Sequence, residues 1–247
     1  MIFNKLFCNN KKISYSICKR SWYNEPIFKS FKKTRVFWKF NNLKYKNSNA
    51  IEGNTLSYAE TYSIVFNDES LPLQNVNPRE LYEAINLKYA LKYSLDNLNK
   101  FDKNLIISIG DLINKNIKDT SGFRKIQNYI RGADFVPVKP EYVSNQVDEI
   151  IFEYNNSNLG ILEKIAKFHT CFEHIHPFED GNGRTGRVLL NHQLIMNDEL
   201  PIVILEENRV EYFNFLANYD IDGLANMIKN LQVKEQEKIN DYNALDE

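Results

Sequence analysis

Apolar residues recur along most of this chain at intervals of three and four, the period of an amphipathic helix. Residues 55–66 show a short stretch of this pattern. Residues 78–98 show a longer one, with Leu81, Ala84, Ile85, Leu91, Leu95 and Leu98 in a stripe and Lys88 as its one polar member. Residues 105–117 turn Ile106, Ile109, Leu112 and Ile113 inward, and residues 143–154 read as a further helix before an Asn-Asn-Ser-Asn break. Ile161, Leu162, Ile165, Phe168, Phe172 and Ile175 then lead into a Gly-rich interruption. The pattern resumes from Arg187 to Met196 through Val188, Leu189, Leu190, Leu194 and Ile195. Residues 209–217 and 223–233 complete the helical stretches, and the polar residues 234–247 read as a frayed tail. The strand period is confined to residues 127–138, where Tyr129, Ile130, Phe135 and Val136 flank the turn-like Arg131-Gly132-Ala133-Asp134. The expected fold is all-α, a helical bundle with one small β-hairpin.

Composition changes this picture little, and charge changes it in one place. The 247 residues suit one large domain with appendages, and no apolar run approaches the length of a membrane span. Cys8, Cys18 and Cys171 are scattered and odd in number, without metal-ligand spacing. They read as free thiols in a reducing compartment, so a cytoplasmic location is expected. The first 20 residues lack a long apolar core and a small-residue cleavage site, which argues against a secretory signal. Net charge is −1, yet residues 1–46 hold twelve Lys or Arg against the single acid Glu25, leaving nineteen against thirty-one in the rest. Such an arm suits nucleic acid, a membrane surface or a transit segment. A solvated face complementing the acidic body is the simpler reading. Phe28, Phe31, Val36, Phe37, Trp38 and Phe40 favour packing of residues 28–46 on that body, and nucleic-acid binding is not expected.

Chemistry concentrates between residues 176 and 187. His176 takes a proton near neutral pH. Asp180 offers hard oxygen ligands suited to Mg²⁺. Gly181-Asn182-Gly183 lets the backbone approach an anion, and a helix starting near Gly183 would aim free N–H groups at it. Arg184 and Arg187, three apart, share a face and can clamp phosphate oxygens. Glu173 and Glu179 are further acids within reach of the stretch. A metal site from His169, His174 and His176 is disfavoured, because Pro177 breaks the helix and no His-Glu-x-x-His pattern is present; like His192, the first two read as packing or hydrogen-bonded residues.

This stretch resembles the Fic family signature, His-x-Phe-x-(Asp/Glu)-Gly-Asn-Gly-Arg-x-x-Arg, at every defined position. The resemblance extends over about residues 47–233. It implies a Mg²⁺-dependent transfer of AMP from ATP to a Ser, Thr or Tyr hydroxyl of a protein target, or of the protein itself. His176 would be the base and Asp180 the metal ligand. Gly181, Asn182, Gly183, Arg184 and Arg187 would hold the phosphates, and Phe178 would anchor the loop. Ser48, Glu52 and Gly53 match the inhibitory motif (Ser/Thr)-x-x-x-Glu-(Gly/Asn), in the N-terminal position of one Fic subclass. Residues 47–53 are then an inhibitory helix whose Glu52 pairs with Arg187. Ser121-Gly122-Phe123-Arg124 loosely resembles the segment before the family's flap, which here would be Ile130 to Phe135 within residues 127–138, and Arg209 and Tyr212 match a later Arg-x-x-Tyr stretch. Homodimers occur in the family. Four alternatives stand beside AMP transfer: removal of AMP by the same Glu52, transfer of UMP, GMP or phosphocholine in place of AMP, phosphate transfer of the Doc type, and a non-catalytic nucleotide-binding module. Doc-type relatives carry Lys where Gly183 stands and lack the second Arg, so this chain departs from them.

Overall fold

The computed structural model describes residues 34–66, 76–130 and 135–244, with side chains from Leu43 to Asp241. The helices are α1 (Thr34–Ile51), α2 (Tyr58–Phe66), α3 (Pro78–Asp96), α4 (Lys103–Asn114), α5 (Pro140–Asn156), α6 (Ile161–Ile175), α7 (Asn182–Met196), α8 (Arg209–Ala217) and α9 (Ile221–Ala244), with a 3₁₀ turn at Glu206–Asn208. Their starts follow local chemistry. Ser57 and Glu60 form a reciprocal capping box ahead of α2, through Glu60 N–H to Ser57 Oγ and Ser57 N–H to Glu60 Oε2. Asn77 caps α3 ahead of Pro78, and Asp102 caps α4 by accepting from Leu105 N–H.

At the centre lies α7, packed against α1, α3, α4 and α6. Every residue from Arg184 to Ile195 is buried. A helix buried on all sides carries no clean amphipathic stripe, and polar members such as Asn191, His192 and Gln193 sit inside with the leucines. His192 is held by Ser94 Oγ at 3.0 Å and by the Lys100 carbonyl at 2.8 Å. α6 packs between α7 and α9, with α5 and α8 also against it.

Three expectations change. The core face of α3 is rotated from the expected stripe: Glu83, Ala84, Asn86, Leu87, Ala90, Leu91 and Ser94 are buried, whereas Leu81, Leu95 and Leu98 are half-buried. Glu83 and Asn86 are drawn inward by polar partners, described below for Glu83. Residues 234–247 were expected to fray, but α9 continues through them to Ala244, burying Glu235 and Ile239. Glu235 raises the pKa of buried Lys44, though burial dominates and lowers it to about 7.

The third change concerns the β-hairpin. Among the described residues there is no strand. Arg131, Gly132, Ala133 and Asp134, the expected turn, lie outside the described residues, as do residues 1–33 of the basic arm. On the flanks, side chains rather than a partner strand bond the carbonyls. Arg124 donates to Ile126 O and Val138 O, and Gln127 donates to Pro137 O. Pro137 has no N–H to offer a ladder. Phe135 stacks on His174 with ring centroids 4.0 Å apart, and Ile130 is half-buried.

Candidate active site

Residues 176–181 join α6 to α7, and their backbone is held at almost every step. His176 ends α6 in the left-handed region (φ 52°), its N–H bonded to Phe172 O. Its carbonyl accepts from Arg124 Nε at 2.9 Å, and Pro177 O accepts from Arg124 N–H at 2.8 Å. Phe178, 1% exposed, packs against Phe123 and Phe172. Gly110 makes room for its ring: a Cβ there would stand 2.2 Å from Phe178 Cζ. Asn114 Nδ2 holds Asp180 O at 2.9 Å. Gly181 takes φ +69° as the residue before α7, where a Cβ would lie 2.6 Å from Ile113.

The loop presents His176 as a base, Asp180 as a carboxylate and the N-terminus of α7. His176 Nδ1 lies 3.2 Å from Glu173 O. A carbonyl only accepts, so Nδ1 carries the proton and Nε2 keeps its lone pair. Burial lowers the His176 pKa, over the opposing effects of the Glu173 carbonyl and Glu52. Burial alone would raise Asp180, but Arg184, Arg79 and the Gly181 N–H hold its carboxyl below the ordinary range. Its Oδ2 lies 2.5 Å from Arg79 Nη2, and its Oδ1 accepts from Gly181 N–H at 2.6 Å and lies 3.4 Å from Arg184 Nη2. A partly exposed carboxylate whose ionised form is favoured, beside an anion site, suits Mg²⁺. That ion is commonly bound by one or two carboxylates with phosphate and water completing its shell. The His169, His174 and His176 rings do not converge on a metal: they bond Tyr212 OH, Leu216 O and Glu173 O respectively.

The N-terminus of α7 has no side-chain cap and no acid in its first turn. Its earliest N–H groups are anion donors by position. The Asn182 side chain does not contribute to them, since it bridges Phe178 N–H and Phe178 O at 2.8 Å each. The Arg184 side chain is 2% exposed, with Nη1 3.3 Å from Glu83 Oε1; neither its Nε nor its Nη1 has a hydrogen-bond partner. Arg187 donates from Nε to Ser48 Oγ (3.0 Å) and from Nη2 to Ser48 O (2.8 Å) and Glu52 Oε1 (2.7 Å), leaving Nη1 buried without a partner. Glu52 follows the end of α1, where Gly53 adopts φ +94°. Its carboxylate reaches the first turn of α7: a Cβ on Gly183 would stand 2.2 Å from Glu52 Oε1 and 2.9 Å from Arg187 Nη1. A carboxylate thus lies where an anion would meet the helix N-terminus and the second arginine.

Of the residues expected at the site, Ser48, Glu52, His176, Asp180, Gly183, Arg184 and Arg187 come together. Their supports carried no sequence signal. Arg79 and Glu83 on α3, Asn114 on α4, and Asn54, which donates to Glu83 Oε2 at 2.8 Å, come from separate segments brought together by folding. Arg124, 3% exposed, was legible only as the end of a turn that loosely matches a family segment, yet it ties His176 to residues 126 and 138.

Residues 100–194 match the Fic/DOC family. The chain is 31% identical over 204 residues to the protein adenylyltransferase fic-1 of Caenorhabditis elegans, covering 78% of this chain and 39% of that protein. It is 34% identical over 154 residues to a probable protein adenylyltransferase of Aquifex aeolicus, covering 60% and 46%. It therefore spans less than half the length of these curated relatives. A Fic-domain-containing signaling protein from Bacteroides thetaiotaomicron shares the fold with a TM-score of 0.75 at 24% identity, over 92% of this chain and 95% of that one. By its signature loop and the family segment that contains it, this chain carries a Fic/DOC domain over residues 100–194.

Proposed function

We propose that this protein transfers AMP from ATP to a hydroxyl of a protein target and is restrained by its own Glu52. The observation that carries this reading is the Glu52 carboxylate on the first turn of α7, bonded to Arg187 at 2.7 Å, beside arginine N–H groups that have no hydrogen-bond partner. An anion site already holding an internal anion is a phosphate site under restraint.

In the proposed reaction the α7 N-terminus, Arg184 and, once Glu52 withdraws, Arg187 hold the phosphates of ATP. Asp180 would hold Mg²⁺, which supplies neutralisation of charge on the phosphates when bound. The target hydroxyl gives its proton to His176 Nε2. Its oxygen bonds to the α-phosphorus as the bond from that phosphorus to the β-phosphate oxygen breaks, releasing pyrophosphate and leaving AMP on the target. Positioning and charge stabilisation contribute most of the acceleration. While Glu52 occupies Arg187, the guanidinium is denied to the triphosphate.

The test is label transfer from α-³²P-ATP with Mg²⁺ by wild type, Glu52→Gly and Glu52→Gly/His176→Ala. Labelled protein is expected chiefly with Glu52→Gly, with loss of the signal in the double variant. Equal labelling by wild type and Glu52→Gly would remove the restraint. No labelling by any of them, with ATP still bound, would remove the transfer. Because Glu52 lies within the site, hydrolytic removal of AMP is a second activity for the same residue. A pre-labelled target should then lose AMP with wild type and keep it with Glu52→Gly.

A further inference from the structure

Behind the Glu52–Arg187 pair lies a buried ionisable cluster with no part in the transfer described above. Glu173, near the end of α6, is 9% exposed, and its Oε1 has no hydrogen-bond partner. One turn back on the same helix, His169 Nε2 lies 3.9 Å from that oxygen and 2.7 Å from the Tyr212 hydroxyl on α8. Gly186 leaves space for the carboxyl: a Cβ there would stand 2.2 Å from Glu173 Oε1 and 3.0 Å from His169 Cε1. The next residue is Arg187, whose Nη1 is buried and unpartnered while Nε and Nη2 serve Ser48 and Glu52. One guanidinium is therefore acted on by two carboxyl groups, Glu52 just after the end of α1 and Glu173 on α6.

The charges acting on Glu173 are Arg187, which favours its ionised form, and Glu52, which opposes it. Burial outweighs both and pushes its carboxyl up to about 8, so it is neutral at pH 7. Around it, His169 is held neutral, lowered to about 3 by burial and by Arg187, and the Tyr212 hydroxyl is pushed up by burial. His176 lies three residues on, at the end of α6. From α5, Glu153 is paired with Lys167 at 2.9 Å; no charge from α5 or α9 is among those acting on Glu173.

We propose that Glu173 is a positioning residue for Arg187, a buried second carboxylate that competes with Glu52 for the same guanidinium. The proposal rests on the reading of Glu52 as a restraint on AMP transfer. While Glu173 is protonated, Glu52 holds Arg187 unopposed. When Glu173 ionises, Arg187 is attracted from within the core as well, its hold on Glu52 loosens, and the restraint relaxes. Gly186 is essential to this arrangement, because any side chain there would occupy the carboxyl's place.

The experiment follows labelling from α-³²P-ATP between pH 6.5 and 9.5 for wild type, Glu52→Gly, Glu173→Gln and Glu52→Gly/Glu173→Gln. The readout is the ratio of the Glu52→Gly rate to its parent rate in each background, which cancels pH effects on the target hydroxyl. With Glu173 present the ratio should fall several-fold between pH 7 and 9; with Glu173→Gln it should stay constant. The same fall in both backgrounds, or a constant ratio in both, overturns the competition. A second arm needs no activity: the drop in Tm caused by Glu52→Gly, measured at pH 7 and 9. It should shrink at pH 9 with Glu173 present and not with Glu173→Gln. An equal drop at both pH values in the wild-type background sinks the proposal. Should no variant label at any pH, the transfer reading fails separately, and this thermal comparison still decides whether Glu173 competes for Arg187.

Discussion

His176 owes its form as a base to one main-chain contact. The Glu173 carbonyl accepts the Nδ1 proton, and burial resists a second one. The imidazole is thus neutral at pH 7, and it becomes protonated only below its ordinary range. The activity of the Glu52→Gly enzyme should therefore be level near neutrality on the acid side and fall only as pH drops below about 6.5, the unperturbed value. A pH profile of kcat/KM for that variant checks this; a fall beginning above pH 7 would contradict it. Asn182 shows the opposite relation between residue type and role. Its side-chain amide is occupied by Phe178 on both sides, so that side chain shapes the loop and leaves only the Asn182 main-chain N–H to face an anion.

At the scale of elements, α1 is held at its C-terminal end by several neighbours. Arg209 on α8 donates to Ile51 O at 2.7 Å, Glu206 N–H donates to Asn47 Oδ1 at 3.0 Å, and Lys46 pairs with Glu206 at 2.6 Å. Beyond Gly53, α3 takes over: Thr55 N–H and Oγ1 donate to Glu80, and Asn54 donates to Glu83. Arg209→Ala removes one of these ties. It should raise wild-type labelling by a smaller factor than Glu52→Gly does and leave the Glu52→Gly rate unchanged. An unchanged wild-type rate would show that α8 does not hold the restraint. The N-terminal turn of α3 bears on the other end of the site, where exposed Arg79 bridges Asp180 and Glu83. A divalent cation at Asp180 must compete with that guanidinium. A magnesium titration of labelling in Glu52→Gly should therefore reach its midpoint at a lower concentration when Arg79→Ala is added. A midpoint that stays or rises would show that Arg79 does not mask the carboxylate.

For the whole molecule, the site rests on a central helix packed against four others. α7 carries Arg184 and Arg187 at one end and is enclosed along its length. Leu189, fully buried and two residues from Arg187, tests this. Leu189→Ala should cost about 2–5 kcal/mol in urea denaturation from lost burial and the cavity left behind. It should also lower labelling by Glu52→Gly below the melting transition, because a loosened α7 misplaces both arginines. Lost stability with full activity would separate the core from the catalysis.

The sequence by itself determined the parts whose physics is local. Helical period located α4, α6 and α8 to within a few residues, and the spacing of His176, Asp180, Gly181, Gly183, Arg184 and Arg187 within one loop and one helix turn made the anion site legible. Ser48 and Glu52 were legible for the same reason, being one helical turn apart at a Gly-ended helix. Tertiary structure decided what depends on distant segments. It rotated the buried face of α3 toward Glu83, whose partners are Asn54, Arg79 and Arg184. It carried α9 to Ala244, because Glu235 and Ile239 have a surface to bury against. It gave the carbonyls of Ile126, Asn128, Pro137 and Val138 side-chain donors from Arg124 and Gln127. It also set Glu173 behind Arg187, a meeting of helices α6 and α7 that depends on the absent side chain of Gly186. Periodicity and spacing act within a few residues, whereas a buried charge takes its meaning from whichever partner the fold brings to it.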